Sequence, residues 1–260
     1  MKGVCFVFPD GPPWRPSYVL ITCEHAGRKV PPPYRSLFKH AGDALRSHRG
    51  SDHGAFDIAL QMATQLSAPI LFTTTTRLLI DTNRSLDHPQ LFSALTCHLR
   101  DEERCRVIAQ HYTPHRTSVQ TLIAAAINSQ HRVLHVAVHS FTDVLDGAIR
   151  ELDLGLLFDP DRASEASLCH SWSSALCTQA SAFRHRLNEP YQGVDDGLTS
   201  ALRLEFSAHA YAGIEVEVRQ GMIARARQQR MVADLLSSTL APLVQGHNTM
   251  QGASVCPALR

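Results

Sequence analysis

Two histidines, an Asn-Arg pair and two glutamates each stand at or near the C-terminal end of a short apolar run. Val19–Cys23 leads into Glu24-His25, Leu78–Ile80 into Asp81-Thr82-Asn83-Arg84, and Val133–Val138 into His139-Ser140-Phe141, while Ile214–Val218 carries Glu215 and Glu217. In open α/β sheets, that end of a strand is where ligands and catalytic groups collect. Imidazoles and carboxylates are ligands for a zinc ion that keeps one coordination position open. Such an ion activates water and polarises a carbonyl. These residue types therefore point to metal-assisted hydrolysis of an amide bond.

Among 15 histidines, His25 and His139 stand out because each follows a strand directly and precedes a polar turn. Asp52, in Ser51-Asp52-His53-Gly54, is a candidate third ligand, but Ser and Asp before a helical pattern are also ordinary N-cap residues. Glu24 and His53 compete with it. Glu215 and Glu217 fall on one face of their strand and Val216 and Val218 on the other. On a central strand, desolvation would raise the Glu217 pKa towards that of a general base; on an edge strand the same pair would be a solvated acidic face. Asn83-Arg84 offers a fork for a substrate carboxylate, or else a surface salt bridge.

The elements that must position these residues follow from the apolar periodicity. Strands are expected at Tyr18–Cys23, Pro69–Phe72, Leu78–Ile80, Val133–Val138, Leu152–Phe158 and Ile214–Val218. Helices are expected at Gly54–Leu66, Asp101–His111, Thr117–Ser129, Ser164–Leu187, Ala201–His209 and Met222–Leu243, with Pro114 breaking the second from the third. Short strands alternating with longer helices indicate an α/β fold with a mainly parallel or mixed central sheet, covered on both faces as a three-layer α/β/α sandwich. The proline-rich residues 1–17 read as a lead-in, 18–244 as one catalytic domain and 245–260 as a tail.

A net charge of +1 gives no footprint for nucleic acid or an anionic membrane. Seven scattered cysteines, odd in number and without a C-x-x-C pair, argue against a disulfide framework or thiolate metal site and favour a reducing compartment. The apolar stretch Val4–Phe8 is cut by prolines and too short for a signal peptide, and no run approaches a membrane span. The expectation is a cytoplasmic protein with a small-molecule partner and no nucleic acid or membrane partner. Its oligomeric state is not legible. Only three of the 25 basic residues are lysine; arginine suits carboxylate recognition, though coding bias accounts for the skew more simply.

Seven segments carry a resemblance: CEHAG (23–27), SDHG (51–54), RLLIDTNRS (77–85), HVAVHSFTDVLDG (135–147), DLGLLFD (153–159), NEPYQG (188–193) and IEVEVRQ (214–220). In order and spacing, over roughly residues 18–240, the set resembles the N-formylglutamate amidohydrolase family, and more widely the zinc exopeptidases and acylases of carboxypeptidase type, with their phosphorylase/hydrolase-like fold. The resemblance implies one Zn²⁺ per chain held by His25, His139 and Asp52. It implies Glu217 as the base acting on water, Asn83 and Arg84 as the carboxylate clamp, and Arg150 and Asn188 in the pocket wall. The implied reaction is hydrolysis of the N-acyl, possibly N-formyl, amide of an acidic amino acid such as N-formyl-L-glutamate. A related zinc amidase or peptidase of different substrate, and a non-catalytic binding module on the same fold, are the alternatives.

Three positions depart from the relatives. Arg28 stands where carboxypeptidase-type enzymes place a ligand Glu, three residues after the first His. Asp143 follows Thr142 where the family often reads Thr-Pro. Gly221 stands where the family's late strand often continues to Asp.

Overall fold

The computed structural model describes residues 14–244, so the expected tail over 245–260 and most of the lead-in lie outside the described residues. In chain order the elements are β1 (Tyr18–Cys23), α1 (Gly42–Arg46), α2 (Ala55–Gln65), β2 (Ile70–Phe72), α3 (Asp101–Val107) and α4 (Thr113–Asn128). They continue with β3 (Val133–Phe141), a small hairpin of β4 (Val144–Leu145) and β5 (Ala148–Ile149), β6 (Leu154–Leu157), α5 (Ala163–Gln179) and β7 (His185–Leu187). The last three are α6 (Leu198–Glu205), β8 (Tyr211–Arg219) and α7 (Ala226–Leu240).

Six strands form one mixed sheet in the order β2-β1-β3-β8-β6-β7. All neighbours are parallel except β6, which runs antiparallel to β8. The period-2 alternation of side chains sorts the core into layers. On one face Ile21, Val136, Ile214 and Val216 pack with buried residues of α2, α5 and α7. On the other, Leu20, Val133 and Tyr211 pack with Val119 and Ile123 of α4 and Leu202 of α6. Each fully buried aliphatic side chain stabilises such a sandwich by roughly 1.5–3 kcal/mol. The interior strands β1 and β3 are buried along their whole length, which is why they read as unbroken apolar runs.

The structure corrects several expected elements. Leu78–Ile80 is not a strand but a buried turn, packed with Tyr34, Phe38, Leu91 and Phe92 beyond the sheet. An apolar run reports burial, not the type of element that achieves it. Pro114 does not break the helix. A π-helical stretch over Ile108–Tyr112 joins α3 to α4, so that Pro114 falls in the first turn of α4, where no N–H is required. The helix expected to reach Leu187 ends at Gln179, and His185–Leu187 forms the edge strand β7.

Candidate active site

The C-terminal ends of β1, β3 and β8 converge on one buried cluster. Glu24 and His25 leave β1, His139 lies near the end of β3, and Glu217 lies near the end of β8 directly across from His139 in the parallel ladder. Asp52 arrives on the loop before α2. It does not cap that helix, whose N-cap is Gly54 at φ 80° without a side-chain bond. Asp52 Oδ2 instead faces His25 Nδ1 at 3.3 Å and His139 Nδ1 at 2.9 Å. The two imidazole rings stand 5.2 Å apart, and one donor atom from each of His25, Asp52 and His139 lies within 4.8 Å of the others.

Each outward ring nitrogen faces a carboxylate. His25 Nε2 meets Asp81 Oδ1 at 2.7 Å, and Glu24 Oε2 lies 3.2 Å from His139 Nε2, within ion-pair distance though not aligned as a hydrogen bond. The arrangement leaves each Nδ1 for the space the three residues share. Ligand atoms 2.0–2.1 Å from a tetrahedral zinc stand roughly 3.3 Å apart, close to the separations of Asp52 Oδ2 from the two Nδ1 atoms. The donor set of two imidazoles and a carboxylate, each imidazole backed by a second carboxylate, fits a zinc site.

The surrounding charges hold this arrangement. Arg77 donates to Asp81 Oδ2 through Nε and Nη2, at 3.1 and 2.7 Å, and to Asp52 Oδ1 at 3.4 Å. Burial works against the ionised Asp52 and Asp81, but His25 and Arg77 outweigh it and hold both carboxyls below their usual range. Burial likewise works against charged His139, yet Asp52 and Glu24 raise its pKa well above the ordinary value. Asp81, Arg77 and His115 are neighbours of the cluster that strand-end reasoning does not single out. His115 reaches Glu24 Oε1 at 3.1 Å from the first turn of α4, which follows the π-helical stretch. Asp81 was present in the motif RLLIDTNRS but was hidden by the strand reading of Leu78–Ile80.

A cavity of about 160 Å³ opens beside the cluster. Burial in its wall pushes the Glu217 carboxyl up to about 8, and Glu217 Oε2 is buried without a partner. Asn83 and Arg84 line the same cavity. Asn83 Oδ1 accepts the Leu198 N–H at 2.8 Å, which turns its amide nitrogen the other way, and Arg84 Nη1 donates to the Asp196 carbonyl at 2.7 Å.

Two expected wall residues lie elsewhere. Asn188 is not at the cavity: its Oδ1 accepts the Phe158 and Gly193 N–H groups, fixing the 188–197 loop to β6. Arg150 stands one residue outside, between the Phe141 and Tyr191 rings, with its Nη1 on the Tyr191 hydroxyl, while Tyr191 itself lines the cavity. Of the rival ligands, Glu24 sits behind His139 rather than beside Asp52, and His53 faces a neighbouring groove with the exposed Arg28. The other two departures meet at one point. Asp143 accepts from Arg219 Nη1 at 2.9 Å and the Gly221 N–H at 2.8 Å, and a Cβ on Gly221 would collide with its carboxylate.

The profile of the N-formylglutamate amidohydrolase family matches residues 17–224. A gene product of Agrobacterium tumefaciens, known from its crystal structure, is similar at a TM-score of 0.77 and 27% identity, over 88% of this chain and 91% of that one. The N-formylglutamate amidohydrolase from Ralstonia eutropha shares the fold at a TM-score of 0.58 and 16% identity, over 89% of this chain and 95% of that one. Among curated proteins, none matches.

Proposed function

Since the chain belongs to the N-formylglutamate amidohydrolase family, we propose that it is a zinc-dependent hydrolase of N-acyl amino acids. The observation that carries this reading is the convergence of His25 Nδ1, His139 Nδ1 and Asp52 Oδ2 in the cavity that Glu217 also lines, its buried Oε2 without a partner. His25, Asp52 and His139 would hold the ion. When bound, zinc supplies Lewis acidity towards the acyl oxygen and acidifies a water in its open position.

The chain's own residues do the rest. Glu217, whose pKa burial pushes up to about 8, in its ionised form takes a proton from the attacking water and returns it to the leaving nitrogen as the carbon–nitrogen bond breaks. The products are a carboxylic acid and a free amino acid. Arg84, held by the Asp196 carbonyl, keeps its remaining N–H groups for the substrate's α-carboxylate, with the Asn83 amide nitrogen beside it. Asp81, Glu24 and His115 orient the two imidazoles. Among the described residues, no helix is long and apolar enough to cross a membrane. The free cysteines 23, 97, 105, 169 and 177 accord with a cytoplasmic setting.

The test is a chelator-stripped chain assayed on N-formyl and N-acetyl amino acids before and after zinc is restored. Activity that returns with zinc supports the reading. Turnover unchanged by stripping would contradict metal dependence, and no turnover of any acyl amino acid would contradict the substrate class.

A further inference from the structure

The family's name substrate has two carboxylates, but among the described residues the cavity wall beyond the His25, Asp52 and His139 cluster offers one cation free to meet them. Of the two arginines in that wall, Arg77 is engaged by Asp81 and Asp52, which leaves Arg84. The same cavity is lined by Glu215, Asp195 and Asp196. Asp196 is occupied, accepting from the Ser85 N–H and hydroxyl, and Asp195 Oδ2 accepts the Gln192 N–H at the exposed rim.

Glu215 differs from both. It lies two residues below Glu217 on the same face of β8, about 7 Å along the strand. Thr199 Oγ1 donates to Glu215 Oε1 at 2.7 Å, fixing the carboxylate from the start of α6, while the Glu215 side chain lines the cavity. The α-carbon of Gly197 closes over this end: a side chain there would press on Glu215 Oε1 and the Asn83 amide.

Resting on the hydrolase reading above, we propose that Glu215 reads the substrate's side chain and selects one ending in a hydrogen-bond donor, an ammonium or a carboxamide, over a second carboxylate. With the scissile amide at Glu217 and the α-carboxylate on Arg84, the side chain runs towards Glu215. A donor there meets the Glu215 carboxylate, whereas a second carboxylate sets two like charges against each other in a largely desolvated space. Polar groups aimed at a donor discriminate strongly against analogues that lack it.

The test compares N-formyl-L-lysine, N-formyl-L-glutamine and N-formyl-L-glutamate as substrates of the zinc-loaded chain. In parallel, calorimetry measures binding of free L-lysine, L-glutamine and L-glutamate. We expect the lysine or glutamine compound to exceed the glutamate one by ~10-fold or more in kcat/KM, and the free amino acids to bind in the same order. A lysine preference identifies ion pairing, a glutamine preference hydrogen bonding. Glu215→Gln, which keeps an oxygen for Thr199, should shrink the preference several-fold. Glutamate equal to or better than both in the wild-type chain would overturn the proposal, as would a ratio unmoved by Glu215→Gln. Absence of turnover with the binding order retained would refute the hydrolase reading while leaving Glu215 its role.

Discussion

His139 and Glu217 face each other across the β3–β8 ladder as register partners, so one pair of parallel strands carries both a candidate ligand and the candidate base. Their separation is set by backbone hydrogen bonds rather than by a loop, and sites built on strands hold their geometry better than sites built on loops. Glu217→Gln preserves shape and removes the proton acceptor. It should retain zinc and lose ~10²–10⁴-fold in kcat, measured as zinc content and turnover on one preparation. A near-wild-type rate would remove Glu217 as base.

Asp81 acts on His25 from outside the cluster. Asp81→Ala should weaken zinc binding by about 10–100-fold, the usual effect of losing a carboxylate behind a ligating imidazole, and it also releases Arg77. Competition with a chromophoric chelator reads this directly. An unchanged affinity would mean that Asp81 only braces the turn.

The metal-free chain should lose stability as pH rises. Glu217 has a folded pKa raised to about 8 from the ordinary 4.5, and that of His139 is raised well above its ordinary 6.5. For both, the folded form binds protons more tightly than the unfolded one. Their contribution is therefore fully present below the unfolded pKa and lost as pH climbs through the folded value. Thermal denaturation between pH 6 and 9 should show Tm falling without metal, with Glu217→Gln removing part of the slope. For the same reason zinc loading at pH 7 should release at least one proton per ion, visible with a pH indicator in weak buffer. A flat Tm and no proton release would contradict the charge assignment.

Asp143 and Gly221 should couple. Gly221→Asp alone forces a side chain and a like charge onto the Asp143 carboxylate, and Asp143→Ala alone strips a partner from Arg219. Combined, the new carboxylate at 221 takes the vacated place, so the double variant should be more stable than the sum of the singles by ~1 kcal/mol or more. Denaturant unfolding of the four proteins measures this. Simple additivity would show that the two departures from the family pattern are independent.

The central strands and the residues at their ends were legible because β1 and β3 are buried on both faces and so appear as continuous apolar runs ending at His25 and His139. What escaped was set by tertiary packing. The cluster that buries Leu78–Ile80 made a turn look like a strand and concealed Asp81. The π-helical junction placed His115 behind Glu24, which no periodicity at 3.6 residues would indicate. Asn83 and Arg84, which the resemblance implies as the carboxylate clamp, line the cavity, whereas Asn188, in the matched segment NEPYQG, holds a loop against Phe158 and Gly193.

The most direct measurement is zinc per chain, by elemental mass spectrometry after equilibration with a slight excess of the ion and removal of what is free, for the wild type and for Asp52→Ala. A cation shared by the two Nδ1 atoms and the carboxylate between them predicts one zinc per wild-type chain and, in the variant, a small fraction of that. A wild-type chain that emerges without metal, or an Asp52→Ala chain that keeps a full equivalent, would contradict the account.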